Sequence, residues 1–578
     1  MIKSIKDTPK EVNMLRVIFI LSLFLWGGFL PAVSCGLTVL LSAYIVFMFL
    51  KARNNAQKKD QRHIRIPMDP VFIFTVLLVI CLGLACIWAV DKGMAPYGVV
   101  KFLPLPLFAA ALYATGDKGR ATIICDIPYI GAAMTVLSAI LALIPAIRSE
   151  FIVFGRLAGF MQYSNTFAVL CLAGSVILLL KETSDPGIRT AVTVLILYAG
   201  IILSGSRTVF MLWILSIPVV LIIRRNRKLT LLIPGGAAFF IIASILYVAV
   251  SGRFNAIGRF LNTSLEESTF LGRFLYYKDL IPVILSHPFG LGYKGYQVLQ
   301  TSFQTGDYNV LYVHNDYLQV FADAGWIPGI AALVCLFLGI KKIIKDPAKL
   351  VPVIIIALHI LFDFDLQSSG ICFVMIALLS YDDPKEIRIS SCPVIVLLSS
   401  VFALMSIYLG TADVLHLGHL NDAALGIYPN HTDALTEVLE NTEDIDVLES
   451  YADRILKVNG NCSIAYSAKS RALFAKGDVQ GMIDNKLKAI ANNRYELGEY
   501  EDFVDYLNRS VEVYIAKGDE ASAVMCIRYI IATDDMVNDV IKSTSDMAWK
   551  TNDSPFLDWP DEYRALIDEY KQQLGTNG

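Results

Sequence analysis

The sequence predicts an all-α protein: a polytopic bundle of about 12 to 13 transmembrane helices, then a soluble helical domain with repeat character. Three observations predict it. The 578 residues are 55% hydrophobic and only 17% charged, with a mean hydropathy of +0.56, against about 25% charged residues in an ordinary soluble protein. Charge is also divided unevenly: from Thr411 onward there are 30 Asp and Glu against 15 Lys and Arg, whereas the first 410 residues hold 34 basic and 22 acidic residues. Finally, the long apolar runs are confined to residues 1–410, which marks 1–410 as a membrane domain and 411–578 as an acidic, soluble one. A disordered chain and one that coats nucleic acid are both excluded, and no nucleic-acid partner is expected.

A bilayer core takes roughly 20 apolar residues per helix, fewer where helices are broken or packed. Runs of this kind lie near 14–31, 33–50, 71–90, 95–113, 122–145, 160–180, 189–204, 208–223, 231–250, 326–343, 349–363, 369–380 and 393–410. The first has basic residues before it, as a secretory signal does, but the apolar run resumes at once as a second span and reads as an uncleaved anchor. With the N-terminus inside, the cytoplasmic segments carry 24 Lys and Arg; the opposite short loops carry four, Lys92, Arg148, Arg156 and Arg207. That asymmetry predicts a cytoplasmic (inner) membrane protein with a cytoplasmic N-terminus. It puts the long loop 251–325 and the whole domain 411–578 on the extracytoplasmic side.

In that outer domain the apolar residues recur at helical spacing. Ala475-Lys476-Gly477-Asp478 returns as Ala516-Lys517-Gly518-Asp519 at a 41-residue offset, each supplying the glycine that ends a helix. The pattern resembles degenerate tetratricopeptide helix pairs, although most of the large aromatic and proline positions of that repeat are missing. Two readings stand side by side: a bundle that only keeps the domain soluble, and a concave surface for a protein partner or a glycan. Eight of the ten cysteines lie in or beside apolar spans; Cys462 and Cys526 lie in the outer domain, and the sequence leaves their pairing open.

Charge is expensive in and near a bilayer, at about 2.5–3.5 kcal/mol for a cation at a helix centre, so the outer basic residues call for an explanation. Arg156 stands in Gly155-Arg156-Leu157-Ala158-Gly159, ahead of a span opening Tyr163-Ser164-Asn165. Arg207 stands in the turn Ser204-Gly205-Ser206-Arg207. Arg273 is near the start of a loop helix, with Tyr277 one turn along the same face. Lys101 lies in the outer half of its span and reads as a cation snorkelling to lipid phosphate. Arg207 and Arg273 read as a site, since two planar guanidinium forks outside the membrane suit a pyrophosphate.

The outer loop also holds His314-Asn315-Asp316-Tyr317-Leu318-Gln319, where Asn315 or Asp316 can cap a helix. His314 then stands at a helix N-terminus, whose dipole favours neutral imidazole, with Asp316 partly opposing it. Neutral imidazole can take a proton from a hydroxyl, a step worth about 10²–10⁴ in rate. Upstream, His287-Pro288-Phe289-Gly290-Leu291-Gly292 brings backbone close to a ligand through Gly290 and Gly292. His359, Asp363 and Asp365 follow in His359-Ile360-Leu361-Phe362-Asp363-Phe364-Asp365. An Asp-x-Asp pair invites comparison with the metal site of nucleotide-sugar transferases. Its outer location argues instead for a partner to one of the arginines or a cap on a broken helix hairpin.

Taken in order, these fragments resemble the O-antigen ligase family of polytopic membrane glycosyltransferases, over about 156–379. They are Arg156-x-x-Gly159 with Asn165, Ser204-x-Ser206-Arg207, Gly272-Arg273 leading to His287-Pro288-x-Gly290-x-Gly292, His314-Asn315-x-x-Leu318-Gln319, and His359-x-x-x-Asp363. The resemblance implies about a dozen membrane helices with the site on the outer face. It implies a glycan donor on a polyprenyl pyrophosphate carrier and a saccharide or lipid hydroxyl as acceptor. Arg207 and Arg273 would then hold the departing pyrophosphate and His314 would activate the acceptor. Arg156, Asn165, Tyr277, Gly290, Gly292, Asn315, His359 and Asp363 would shape the substrate site. No metal or cofactor is expected, because the arginines supply the positive charge. A polysaccharide polymerase of the same family fits these fragments equally. A lipid-linked glycan transporter or flippase is the alternative from another class, disfavoured because the charges sit at the outer rim and not near the midplane. A membrane-anchored scaffold ranks last, thirteen spans being excessive for an anchor.

Overall fold

A computed structural model of the chain describes residues 8–55, 64–181, 187–224, 235–236, 238, 268–381, 384–389 and 392–576. The helices used below are α1 (Lys10–Phe24), α2 (Pro31–Asn55), α3 (Pro70–Ala85), α4 (Ala95–Phe102), α5 (Pro104–Leu141), α6 (Ser164–Lys181), α7 (Ile188–Ser204) and α8 (Arg207–Arg224). They continue as α9 (Ser268–Ser286), α10 (Gly295–Phe303), α11 (Asp316–Ala324), α12 (Trp326–Ile343), α13 (Pro347–His359), α14 (Ser369–Leu379) and α15 (Cys392–Leu417). The last part of the chain adds α16 (Asn421–Ile427), α17 (Thr432–Glu440), α18 (Ile445–Val458), α19 (Ser463–Ala475), α20 (Val479–Asn492), α21 (Leu497–Lys517), α22 (Glu520–Ser543) and α23 (Asp561–Thr576). Strands are few and short: β1 (Ile64–Pro67) pairs antiparallel with β4 (Glu386–Ile389), and β2 (Ile152–Val153) with β3 (Arg156–Leu157).

Among the described residues, six helical stretches are long and apolar enough to cross a membrane: Pro31–Lys51, Ala95–Leu141, Ser164–Lys181, Arg207–Arg224, Trp326–Ile343 and Val394–Leu417. Four shorter apolar helices accompany them: α3, α7, α13 and α14. The apolar runs read from the sequence all carry helix, except that 231–250 falls almost wholly outside the described residues. The runs 95–113 and 122–145 are covered by α4 and the 38-residue α5, whose backbone breaks at Gly116 (φ 65°). Only glycine takes that conformation without strain.

The chain forms two compact units: residues 1–84, 97–264 and 314–413 make the first, and 85–96, 265–313 and 414–578 the second. The first unit is built around α6 and α14. Every residue of α6 from Thr166 to Leu180 is buried, as are all 11 of α14. Helices apolar all round, as these are, belong at the centre of a bundle. Phe108 of α5 stacks on Phe373 of α14 with ring centroids 4.0 Å apart. Arg16 of α1 grips Asp126 of α5 through Nε (2.6 Å) and Nη2 (2.9 Å), so neither charge is left alone in the bundle.

Lys101 requires a correction. It does not snorkel: it is 1% exposed, and its Nζ lies 4.8 Å from the centroid of the Phe29 ring. The ammonium is therefore held inside the protein and not at the lipid surface, with Asp323 among the groups that feel its charge.

The second unit is helical apart from its loops. The two Ala-Lys-Gly-Asp tetrapeptides stop one helix and start the next. Gly477 (φ 81°) and Gly518 (φ 72°) are left-handed, and the following Asp478 and Asp519 amides reach back 2.9 Å to the Leu473 and Tyr514 carbonyls. This is the Schellman closure. The same aspartates cap the next helices, Asp478 accepting from Gly481 N (2.9 Å) and Asp519 from Ser522 N (3.1 Å). Cys462 and Cys526 are free thiols; Cys462 packs with the α17–α19 core, whereas Cys526 belongs to the core of α20–α23.

Candidate functional site

In the first unit, six of the residues singled out in the sequence converge on one polar network. Arg156 sits in a two-residue hairpin whose turn, Phe154-Gly155, is left-handed at both positions (φ 50° and 71°). The hairpin turns the guanidinium onto two fixed acceptors. Nε donates to the Ser204 carbonyl at the end of α7 (2.7 Å), and Nη2 donates to Asn165 Oδ1 at the start of α6. Asn165 passes the connection on, its Nδ2 donating to Asp363 Oδ2 (2.6 Å) and to the Tyr163 hydroxyl (3.1 Å). Asp363, 1% exposed, also accepts from Tyr163 Oη (2.7 Å) and from the Phe364 amide (3.0 Å). Asp363 is therefore joined to an arginine, Arg156, through Asn165.

His314 meets the same carboxylate. Its Nδ1 lies 3.8 Å from Asp363 Oδ1, within ion-pair range and longer than a hydrogen bond, with 21% of the side chain exposed. Its ring stands edge-on to Phe364 (4.9 Å between centroids), and Phe364 stacks on Tyr163 at 4.5 Å. The His314 backbone is left-handed (φ 56°), a conformation that non-glycine residues adopt mostly at turns and functional sites. Asn315 is the N-cap of α11, its Oδ1 accepting from Leu318 N (3.1 Å). Asp316 is the first helical residue and is buried, its Oδ2 accepting from the Leu366 amide (2.7 Å). Burial first, then the neighbouring Asp365 and Asp363, hold its carboxyl well above the ordinary range.

His359 is fully buried at the end of α13, hydrogen-bonded through Nδ1 to Asp365, with Nε2 4.0 Å from Asp363 Oδ2. Asp365 also accepts from the Thr166 hydroxyl (2.6 Å). The Asp-x-Asp pair is thus divided: Asp363 serves Tyr163, Asn165 and His314, and Asp365 serves Thr166 and His359. Arg207, half-buried, opens α8 directly after the turn in which Gly205 (φ 61°) ends α7. The Arg156–Ser204 bond holds that turn. Tyr163, Thr166 and Phe364 join the network without having been chosen as site residues. Their sequence signal is position alone: each stands where an apolar run meets an outer loop.

The remaining candidates belong to the second unit. Arg273 and Tyr277 lie half-buried on α9, with Tyr277 edge-on to Phe274 (5.8 Å). Gly290 and Gly292 are both left-handed (φ 81°). A side chain at Gly292 would begin 2.5 Å from Ala89 Cβ, and the Leu291 carbonyl between the two glycines accepts from Val90 N (2.9 Å). The close approach there is to the chain's own 85–96 segment.

Residues 191–334 match the family model described as O-antigen ligase. The match includes Arg207, Arg273, Tyr277, Gly290, Gly292, His314 and Asn315. It supports the O-antigen ligase family and, with it, a membrane glycosyltransferase or ligase. Together with the apolar helices it supports a multi-pass membrane protein. None of the curated proteins matches the chain.

Proposed function

We propose that the protein transfers a glycan from a polyprenyl pyrophosphate carrier to an acceptor hydroxyl on the outer face of the cytoplasmic membrane, in the assembly of a cell-surface polysaccharide. The observation that carries this reading is the placement of His314. It is a partly exposed imidazole on strained backbone, beside a buried carboxylate that a guanidinium network holds in place. In the reaction, His314 takes the proton of the acceptor hydroxyl while that oxygen bonds to the anomeric carbon. The bond from anomeric carbon to pyrophosphate oxygen breaks, and polyprenyl pyrophosphate departs with the electron pair. Asp363 faces the imidazolium that forms, and inversion at the anomeric carbon is the expected outcome. Arg207 and Arg273 take the charge of the leaving group, so the step needs no metal. Arg156 and Asn165 act as struts for Asp363 and the Ser204 turn, and His359 with Asp365 backs the carboxylate from inside.

About a dozen spans, including the shorter apolar helices, with the N-terminus in the cytoplasm, would put residues 251–325 and 411–578 outside. A growing saccharide chain as acceptor would use the same chemistry, which makes ligase and polymerase two outcomes of one site. The test follows polyprenyl pyrophosphate release from a lipid-linked oligosaccharide, with candidate acceptors present, in membranes holding equal amounts of wild type, Arg273→Ala and His314→Ala. Release by wild type that is lost in both variants supports the reading. Equal release by all three removes the site assignment, and glycan movement across the bilayer without release points to a transporter.

A further inference from the structure

We propose that the C-terminal domain is a positioning element for Arg273, acting through the segment Ser545–Asp553, an inference that rests on the pyrophosphate-binding role given to Arg273 above. Helix α9 carries Gly272, Leu275, Tyr276 and Asp279 at helical spacing on one face, and all four meet parts of the second unit. Asp279 holds the 305–308 turn, its Oδ2 accepting from Thr305 N (2.7 Å) and from Tyr308 Oη (3.0 Å) and its Oδ1 from Thr305 Oγ1 (2.8 Å). The C-terminal segment then closes over both. Asp307 N donates to the Asp553 carbonyl (2.7 Å), and Ser545 N donates to the Thr305 carbonyl (2.8 Å). Tyr276 Oη donates to Asp553 Oδ1 (3.3 Å), while Leu275, Tyr308 and Ala548 form one small buried core.

Two glycines make the approach possible. A Cβ on Gly272 would lie 2.7 Å from Asp553 Oδ2, and one on Gly306 would lie 2.7 Å from Ala548 Cβ. Asp553 is itself fixed by a reciprocal pair with Thr551, Thr551 Oγ1 donating to Asp553 Oδ2 (3.1 Å) and Asp553 N donating to Thr551 Oγ1 (3.2 Å). Arg273 follows directly on the glycine that touches Asp553, and Tyr276 lies one turn further on. Residues 272–276 of α9, including the backbone that aims the guanidinium, are pinned by residues near the far end of the chain. Bound geometry of this kind governs how well a fork meets a phosphate, and errors of about 1 Å are felt as large losses.

The test uses the full-length protein in membranes, with Asp553→Ala, Asp553→Asn, Tyr276→Phe and Arg273→Ala. Amide hydrogen exchange over 268–286 is measured, together with the donor dependence of polyprenyl pyrophosphate release. Asp553→Ala is expected to raise exchange and the KM for donor by about tenfold, the scale of one lost hydrogen bond to a charged group, and to leave kcat within about threefold. Asp553→Asn, which keeps an acceptor, restores most of both; Tyr276→Phe moves them the same way by less, and serves if the alanine variant does not fold. Wild-type exchange and KM in Asp553→Ala and Tyr276→Phe, beside an inactive Arg273→Ala, would overturn the inference and leave the functional reading standing. A fully active Arg273→Ala would overturn that reading and the inference with it.

Discussion

Replacing Asp363 by asparagine removes one charge at nearly constant volume and tests the role given to His314. Two consequences follow from the geometry. The carboxylate accepts from Tyr163, Asn165 and the Phe364 amide. An amide can keep one side of this set but must turn its NH2 toward a donor on the other, which costs about 1–3 kcal/mol of stability. The charge lost lies 3.8 Å from His314 Nδ1. At that distance Coulomb's law gives ~4 kcal/mol at an effective dielectric of 20 and ~1 kcal/mol in bulk water. With 21% of the imidazole exposed, an intermediate value of about 2 kcal/mol is appropriate, equivalent to about a 30-fold lower kcat. The assay is initial-rate release of polyprenyl pyrophosphate at saturating donor, with thermal unfolding measured on the same preparation. The expected result is a fall in kcat with donor KM little changed and a modestly lower Tm. A kcat within twofold of wild type at equal expression would refute the pairing of Asp363 with the imidazolium.

Further predictions concern stability. Burial pushes the Asp323 carboxyl up to about 7, against about 3.9 in an unfolded chain. Between those values the folded state holds a proton that the unfolded state has released, so stability falls as pH rises from about 4 to about 7. Tm should therefore be higher at pH 5 than at pH 8, and Asp323→Asn should flatten the difference; an unchanged profile would remove Asp323 as its source. Gly292→Ala forces a left-handed backbone and a Cβ 2.5 Å from Ala89, at a cost of about 1–3 kcal/mol, which should appear as a lower Tm and reduced yield. Lys486, fully buried, donates to Glu499 (2.5 Å), Asp502 (3.0 Å) and Ser467 (3.1 Å). Lys486→Met leaves the mostly buried Glu499 carboxylate without its countercharge, while the half-exposed Asp502 is screened by water; the cost is about 1–3 kcal/mol, and protease cleavage within 463–517 should rise in the single variant and recede when Glu499→Gln is added.

The apolar helices were legible because apolar run length is a local property of the chain. His314, Asn315 and the glycine stops were legible for the same reason, being set by capping and by the left-handed backbone. What the sequence could not display were pairings across long separations. Asn165 and Asp363 are 198 positions apart yet share a hydrogen bond, and nothing local distinguishes Asn165 as the bridge between Arg156 and that carboxylate. Lys101 misled for a related reason. A lysine at the outer end of an apolar run looks the same whether its ammonium meets lipid or, as here, the Phe29 ring inside the bundle. The second unit also decides what a truncation after Gly410 would do. That cut would strip the partners of 85–96 and 265–313, so loss of activity in it would not distinguish an enzyme from a scaffold.

The makeup of that second unit, with its pieces drawn from 85–96, 265–313 and 414–578, bears on how the chain is made. Domains commonly fold as they emerge, at about 5–20 residues per second. The early loops of this unit must instead wait while the several spans between 313 and 414 are synthesised, and then until the helices that cover them have been delivered. At those rates the stretch from 313 to the last residue takes roughly 13–53 s. During that interval Leu275 of α9 and the loop residue Tyr308 lack Ala548, which completes their small core. An unfinished chain therefore exposes apolar surface in these early loops that the complete chain covers.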